Sequence, residues 1–286
     1  MPELAVSRRD VLADAAAALG RAGFAEPRRE ALRLWAEITP GAGEALVLEP
    51  DQTADAADRG RLRELVRRRI AGEPFAYVVG RAGFRRLVLR SDRRALIPRP
   101  ETEGLVDLLL ERVRGGRAAD VGTGTGCLAL SLATEGDFGQ VIATDLSRDA
   151  IALARENRRE VAAAGPVKLV LGDLCAPLAD ASLDALVSNP PYLTTAEYAA
   201  LDPAVRHWEP ASALESGADG MAATLGLLTE ARRVLKPGGW IALEVDCSRA
   251  GVAAAQAREL GWSEVIVETD LFGRERYLLA QRSAAT

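Results

Sequence analysis

The first part of the chain, up to about residue 75, repeats its apolar residues at helical spacing. The repeats are Val11, Leu12, Ala15, Ala16 and Leu19, then Ala31, Leu32 and Trp35, then Leu62, Leu65, Val66 and Ile70. Intervals of three and four are typical of helices that bury one face. Ser7 is a suitable N-cap for the first helix, and Pro27 fits the first turn of the second. Residues 1–75 are therefore predicted to form a small helical domain.

A different pattern follows in residues 76–94. The run from Tyr77 to Leu89 is rich in Val, Phe and Leu and is interrupted by Gly80 and Gly83, which is typical of a pair of strands. The stretch 57–94 carries 12 arginines against four acidic residues. We therefore predict a basic β-hairpin connector over 76–94. The wider basic segment, 57–94, is a candidate for a weak contact with RNA or an acidic surface, and such a contact weakens as salt rises.

From residue 95 to 286, short apolar strands alternate with helices. The strands are predicted at 118–121, 141–145, 167–171, 185–188, 240–245, 265–269 and 277–280, and the helices at 105–113, 128–133, 148–163, 221–235 and 250–260. This alternation predicts an α/β fold with a doubly wound, mostly parallel sheet. Ligands of such sheets bind at the carboxyl ends of the strands, so the residues that follow each strand are the candidates for chemistry.

Composition excludes several classes of function. The 286 residues are 48% hydrophobic and 27% charged, which fits a globular chain of two modest domains. No run of 18 uncharged apolar residues is present, and charged residues interrupt the N-terminal stretch, so we expect no membrane association and a cytoplasmic protein. Three widely spaced cysteines and a single histidine, His207, argue against a disulfide framework and against a metal site.

A glycine-rich loop follows the first of these strands, in the sequence Asp120-Val121-Gly122-Thr123-Gly124-Thr125-Gly126. Glycines permit a sharp turn and a close approach to a ligand, and the following helix offers free N–H groups. Asp145 ends the next strand, where a carboxylate can accept both hydroxyls of a ribose. Asp173 and Leu174 follow the third strand, where they can flank an adenine. The predicted cofactor site comprises Gly122, Thr123, Gly124, Thr125, Gly126, Asp145, Asp173, Leu174 and Asn189.

The sequence Asn189-Pro190-Pro191-Tyr192 directly follows another apolar strand. Two prolines stiffen the backbone and remove two N–H donors. The side-chain oxygen of Asn189 and the carbonyl of Pro190 then form a pair of acceptors suited to one planar NH2 group, and Tyr192 offers an aromatic face. Asn189, Pro190 and Tyr192 are the predicted catalytic residues, and Pro191 joins them in the predicted substrate site.

Such a site suits methyl transfer from a sulfonium to nitrogen. A planar NH2 group is a poor nucleophile, and two acceptors on its hydrogens direct its nitrogen at the methyl carbon. The methylated nitrogen loses its proton readily, so no histidine base is needed. The residues alone therefore predict a sulfonium compound as the methyl donor.

The chain resembles the release-factor glutamine methyltransferases, the PrmC/HemK group. The resemblance rests on Gly72-Glu73-Pro74, the run Ile97-Pro98-Arg99-Pro100-Glu101-Thr102-Glu103, the two loops above, Glu209-Pro210 and Gly273-Arg274. It implies the seven-stranded sheet of class I methyltransferases over residues 95–286 and a substrate-recognition role for the N-terminal domain. It also implies S-adenosylmethionine as the cofactor that donates the methyl group, and N5-methylation of the glutamine in the Gly-Gly-Gln motif of peptide chain release factors. Glu101 and Glu103 either begin a helix, where acids favour the helix dipole, or line the cleft; Pro98 and Pro100 indicate a shaped loop, so we expect them to line the cleft.

Two departures and several alternatives accompany this interpretation. Leu174 stands where the family often has an aromatic residue, and the stretch from Glu244 to Cys247 lacks a frequent glycine. A ribosomal-protein glutamine methyltransferase is a close alternative. An adenine-N6 methyltransferase also suits the acceptor pair, although no target-recognition domain is evident. An NAD-dependent oxidoreductase is disfavoured by the glycine spacing, and a non-catalytic cofactor-binding adaptor leaves the Asn-Pro-Pro-Tyr loop without a role.

Overall fold

The structure is a computed structural model that describes residues 6–38 and 41–284. The chain divides into two compact units, one ending at Gly80 and the other beginning at Arg81. Among the described residues, no helix is both long and apolar enough to cross a bilayer.

The first unit is helical, as the apolar spacing predicted. Its helices are α1 (Arg8–Arg21), α2 (Pro27–Ala36), α3 (Ala42–Leu48), α4 (Ala56–Ile70) and α5 (Phe75–Val79). The Ser7 side chain accepts from the backbone N–H of Asp10 and caps α1, and Pro27 begins α2, so both helix-start predictions are confirmed. Helix α3 was not predicted. Trp35 is buried in the core and donates from Nε1 to the carbonyl oxygen of Ala42, 2.9 Å away, which ties α2 to α3.

The prediction of a strand beginning near Tyr77 was wrong, because Phe75–Val79 forms α5. Pro74 stands at the N-cap, and Gly80 ends the helix with a left-handed φ of 76°. The Arg68 guanidinium donates to the carbonyl oxygens of Tyr77 and Val78 at 2.9 Å each. These carbonyl groups lie in the last turn, where a helix lacks internal donors, so Arg68 stabilises the short helix.

The hairpin itself is confirmed, over a shorter range. Strands β1 (Arg81–Phe84) and β2 (Leu87–Arg90) pair antiparallel and begin the second unit. Arg85 lies in the turn with a positive φ of 52°, which is uncommon for a residue with a side chain. Its backbone N–H donates to the Glu103 carboxylate at 2.8 Å and so holds this turn.

The second unit contains the seven-stranded, mostly parallel sheet that the sequence predicted. Its strands are β3 (Gly115–Val121), β4 (Asp137–Asp145), β5 (Val167–Leu171), β6 (Leu183–Ser188), β7 (Leu235–Glu244), β8 (Trp262–Thr269) and β9 (Glu275–Arg282). They are ordered β5-β4-β3-β6-β7-β9-β8, and only β9 runs antiparallel to its neighbours. The larger helices are α6 (Glu103–Leu110), α7 (Cys127–Glu135), α8 (Arg148–Glu160), α11 (Ala222–Val234) and α12 (Ala250–Glu259).

Both faces of this sheet are buried, since consecutive residues of one strand belong to different apolar clusters. Ala185 and Val187 of β6 pack in one cluster, whereas Leu186 packs in the other. A strand buried on both faces is a continuous apolar run, which explains why β6 was visible in the sequence. Two short helices that were not predicted, α9 (Thr195–Ala200) and α10 (Pro203–Trp208), follow the Asn-Pro-Pro-Tyr loop.

Candidate active site

A cavity of about 350 Å³ lies at the carboxyl ends of β3, β4, β5 and β6. It contains most of the predicted site. The predicted residues that line it are Gly122, Thr123, Gly124, Thr125, Asp145, Asp173, Leu174, Asn189 and Pro191. Gly126, Pro190 and Tyr192 are not among its lining residues. The glycine-rich loop and the Asn-Pro-Pro-Tyr loop, which are separated by more than 60 residues in the sequence, therefore open into one space.

The glycine-rich loop turns back on itself between β3 and α7. Gly122, Gly124 and Gly126 have φ values of 72°, 56° and 86°, a region that strains any residue with a Cβ atom. The backbone N–H of Gly126 donates to the carbonyl of Thr123 at 2.8 Å, and α7 begins at the next residue. The loop thus brings its backbone and the start of α7 to the edge of the cavity.

Asp145 both faces the cavity and holds the glycine-rich loop. Its Oδ2 accepts the N–H of Gly124 at 2.9 Å, and its Oδ1 accepts the N–H of Ser147 at 2.8 Å. Burial raises the pKa of this carboxyl, whereas the backbone N–H groups of Ser147, Gly124 and Leu146 act to lower it. Each oxygen keeps a second lone pair, so the carboxylate can still accept two ribose hydroxyls.

Asp120 is a fully buried acid at the start of the glycine-rich loop. Its Oδ2 accepts from the Thr123 hydroxyl at 2.6 Å and from the Ala129 N–H at 3.0 Å. Its Oδ1 is buried with no hydrogen-bond partner. Burial raises the pKa of Asp120 to about 7. Asp120 therefore links β3, the loop and α7. Its place two residues before the first glycine is the only sequence feature that points to this role.

Asp173 and Leu174 lie where predicted, in the cavity wall after β5. Leu174 has a φ of 41°, which is rare for a side chain of its size. Its carbonyl accepts from the Thr144 hydroxyl at 3.3 Å. A leucine in place of an aromatic residue still gives this wall an apolar surface.

Asn189 lies at the end of β6 with its amide held from one side. Its Nδ2 donates to the Thr102 hydroxyl oxygen at 2.9 Å, and that hydroxyl donates to Oε2 of Glu244 at 2.6 Å. Thr102 and Glu244 are almost fully buried. Neither was predicted, because the sequence does not show that residues 102, 189 and 244 meet.

Tyr192 lies beside the cavity and contacts the same glutamate. Its hydroxyl donates to Oε1 of Glu244 at 3.3 Å, and burial together with the nearby carboxylate raises its pKa above the usual range. Pro190 is buried. The expected stacking face of Tyr192 therefore stays a prediction, whereas its hydrogen bond to Glu244 is a contact that the sequence did not predict.

The comparisons with known proteins agree with this geometry. Residues 10–80 match the family described as PrmC N-terminal domain, and residues 100–206 match the methyltransferase small domain. A release factor glutamine methyltransferase of Deinococcus radiodurans is 42% identical over 96% of this chain and 98% of its own length. The one of Moorella thermoacetica is 38% identical over 96% of this chain and 98% of its own length. The chain belongs to the release factor glutamine methyltransferase family.

The fold of this family member is also that of a solved methyltransferase from Pyrococcus furiosus. The two chains are 20% identical, the match covers 80% of this chain and all of the other, and the TM-score is 0.51. The recognition of the family and the prediction of a class I methyltransferase sheet are both confirmed.

The cavity of this protein fits S-adenosylmethionine, the methyl donor of class I methyltransferases. Its volume lies within the usual range for small-ligand sites. The glycine-rich loop offers backbone at one wall, Asp145 offers free lone pairs, and Leu174 offers an apolar face. In the described part of the chain, no group of three or more His, Cys, Asp or Glu residues is arranged to hold a metal ion.

The expectation that Glu101 and Glu103 line the cleft was wrong. Neither lines the cavity. The Glu103 carboxylate accepts from Arg85 in the β1–β2 turn, and the Glu101 carbonyl accepts from the Tyr277 hydroxyl. The cavity wall is formed instead by the neighbouring Arg99, whose guanidinium donates to the buried Glu209 at 2.6 Å.

Many arginines of the basic segment, 57–94, form ion pairs with acidic side chains. At least six of its arginines pair with acids, in Arg67–Glu64, Arg68–Glu73, Arg69–Glu30, Arg85–Glu135, Arg90–Glu160 and Arg94–Glu156. A paired arginine offers less attraction to phosphate than a free one. This pairing reduces the basic surface that the composition indicated.

Proposed function

We propose that this protein transfers a methyl group from S-adenosylmethionine to the side-chain amide nitrogen of the glutamine in the Gly-Gly-Gln motif of peptide chain release factors. The observation that carries the proposal is the shared cavity, in which Asn189 and the ribose-type acceptor Asp145 both form part of the wall. Relatives named for this activity align with nearly the whole chain. Because that substrate acts in translation, we also propose that the enzyme works in the cytoplasm.

Asn189 is the central substrate residue of the proposal. Its NH2 group donates to Thr102, so Oδ1 points away from Thr102 and can accept a hydrogen of the substrate amide. The Pro190 carbonyl is the second acceptor in this proposal. With both hydrogens held, the substrate nitrogen is oriented for in-line attack.

The chemistry is a direct displacement at carbon. S-adenosylmethionine supplies an electrophilic methyl group on a sulfonium. The substrate nitrogen forms the new bond to carbon while the bond from carbon to sulfur breaks, and one N–H proton leaves to water. The apolar wall formed by Leu174 and Pro191 limits water in the cavity, and charge is dispersed during the displacement.

An adenine amino group is also a planar NH2, so a nucleic acid is the alternative class of substrate. The relatives favour protein glutamine, and the ion pairs of segment 57–94 leave less free positive charge for phosphate. In the proposal, this segment makes at most a weak contact with RNA or an acidic surface of the partner.

The test is a transfer assay with labelled S-adenosylmethionine. The protein is incubated in parallel with a release factor, a ribosomal protein preparation and duplex DNA. We expect label in the release factor alone. Label in DNA, or in the ribosomal proteins and not the release factor, contradicts the proposal.

A further inference from the structure

A hydrogen-bond chain behind the cavity connects three distant parts of the sequence. Glu244 ends β7 and is 1% exposed, and Thr102 precedes α6 and is 2% exposed. Oε2 of Glu244 accepts from the Thr102 hydroxyl at 2.6 Å, and the Thr102 oxygen accepts from Nδ2 of Asn189 at 2.9 Å. Of these three hydrogen-bonded residues, Asn189 and Thr102 also line the cavity, whereas Glu244 does not.

The order of donors in this chain follows from the number of hydrogens available. A threonine hydroxyl has one hydrogen, and an ionised carboxylate can only accept. Because the Thr102 hydroxyl donates its single hydrogen bond to Glu244, it can only accept a hydrogen bond from Asn189. Asn189 must then present its NH2 group to Thr102 and its oxygen to the other side. If the amide turned by half a rotation, two acceptors would face each other in a buried place.

Several groups around Glu244 support its charged form. Tyr192 donates a second hydrogen bond to Oε1 at 3.3 Å, and the charge of Arg276 is close enough to lower the pKa of the carboxyl. Burial has the largest effect and, together with the nearby Glu101, raises the pKa of Glu244 above its usual value. Tyr192 therefore contributes to the same chain from the opposite oxygen of the carboxylate.

We propose that Glu244 and Thr102 are positioning residues that fix the rotation of the Asn189 carboxamide, so that the site accepts a substrate NH2 group and rejects an acceptor. The inference rests on the proposed function, in which Oδ1 of Asn189 binds the substrate amide. It explains why a buried acid stands behind the cavity without lining it. It also predicts that a release factor with glutamate in place of the target glutamine binds no better at this pocket than one with alanine.

The decisive comparison is Thr102→Val against Thr102→Ser. Valine has nearly the same shape but no hydroxyl, whereas serine keeps the hydroxyl. We expect Thr102→Val to lower kcat on the release factor about 10- to 100-fold, with the Kd for S-adenosylmethionine within about twofold of wild type. Thr102→Ser should retain kcat within about threefold, because the serine hydroxyl can still donate to Glu244 and accept from Asn189.

Glu244→Gln tests the other end of the chain. A glutamine can donate its NH2 to Thr102, which releases the hydroxyl hydrogen toward Asn189 and permits the reversed amide. We expect a fall in kcat of about tenfold, again with little change in the Kd for S-adenosylmethionine. Thr134→Val is the matched control for Thr102→Val, since the Thr134 hydroxyl donates only to backbone carbonyls of α7.

The outcomes separate the inference from the proposed function. If wild-type protein fails to methylate the release factor, the proposed function fails and the inference fails with it. If wild type is active and Thr102→Val matches it, or if Thr102→Val and Thr102→Ser lose kcat alike, the inference alone is overturned. A loss of kcat that merely follows a lower melting temperature, as checked against Thr134→Val, also overturns it.

Discussion

Replacing Asp145 by alanine should separate cofactor binding from the rest of the reaction. The carboxylate already accepts N–H groups from Gly124 and Ser147, and its two remaining lone pairs are available to ribose hydroxyls. A hydrogen bond to a charged group contributes about 1.5 to 3 kcal/mol. Loss of two such bonds at the lower value is about 3 kcal/mol, so the Kd for S-adenosylmethionine should rise at least about 100-fold.

The measurement is calorimetric titration of wild type and Asp145→Ala with S-adenosylmethionine. Asp149→Ala is the matched control, because Asp149 is an exposed acid in the first turn of α8 and does not line the cavity. Asp145→Ala also removes the anchor of two loop N–H groups, so thermal unfolding of each variant must show a folded protein at the titration temperature. A folded Asp145→Ala that binds within threefold of wild type refutes the reasoning.

Three further predictions concern other parts of the molecule. Asn189→Ala should lower methyl transfer at least about 100-fold in single-turnover assays at saturating S-adenosylmethionine; a variant with full activity contradicts its role. Asp120, whose folded pKa is raised to about 7, keeps a proton that the unfolded chain releases at lower pH. The free energy of unfolding should therefore fall with rising pH between about 5 and 7, by up to about 1.4 kcal/mol per pH unit. Urea denaturation of wild type should show this fall and Asp120→Asn should show a shallower one; equal slopes contradict it. Affinity for the release factor should decrease as salt is raised if the basic segment contacts it, and an affinity independent of salt removes that contact.

The sequence predicted those elements whose local pattern matches their final surroundings. The middle of strand β6, residues 185–187, is an apolar run because helices cover both faces of the sheet, and α1 carries its own N-cap in Ser7. Helix α9 carries a comparable local signal at its N-terminus. Thr194 and Glu197 form a capping box, the side chain of each accepting the backbone N–H of the other.

Helix α5 shows where local pattern misleads. The segment Phe75–Val79 is rich in aromatic and β-branched residues, which favour strands in isolation. Its helical form depends on Pro74 and Gly80 at the ends and on the Arg68 guanidinium at its last carbonyls. Only the first two are visible nearby in the sequence.

The candidate site likewise contains residues that the sequence predicted and residues that it did not. The glycine-rich loop and Asn189 stand directly after strands, so topology alone brings them to one edge of the sheet. The contact between Thr102 and Glu244 joins residues 142 positions apart. Their side chains are ordinary in type and are identified only by the hydrogen bond that they form with each other in the core.

The most direct test of the central claim is to locate the methyl group. Release factor is incubated with this protein and S-adenosylmethionine, digested, and analysed by fragmentation mass spectrometry, beside a release factor in which the glutamine of Gly-Gly-Gln is alanine. The account predicts one added methyl group on that glutamine side chain and none on the alanine variant. A methyl group on any other residue, or equal labelling of both release factors, contradicts it.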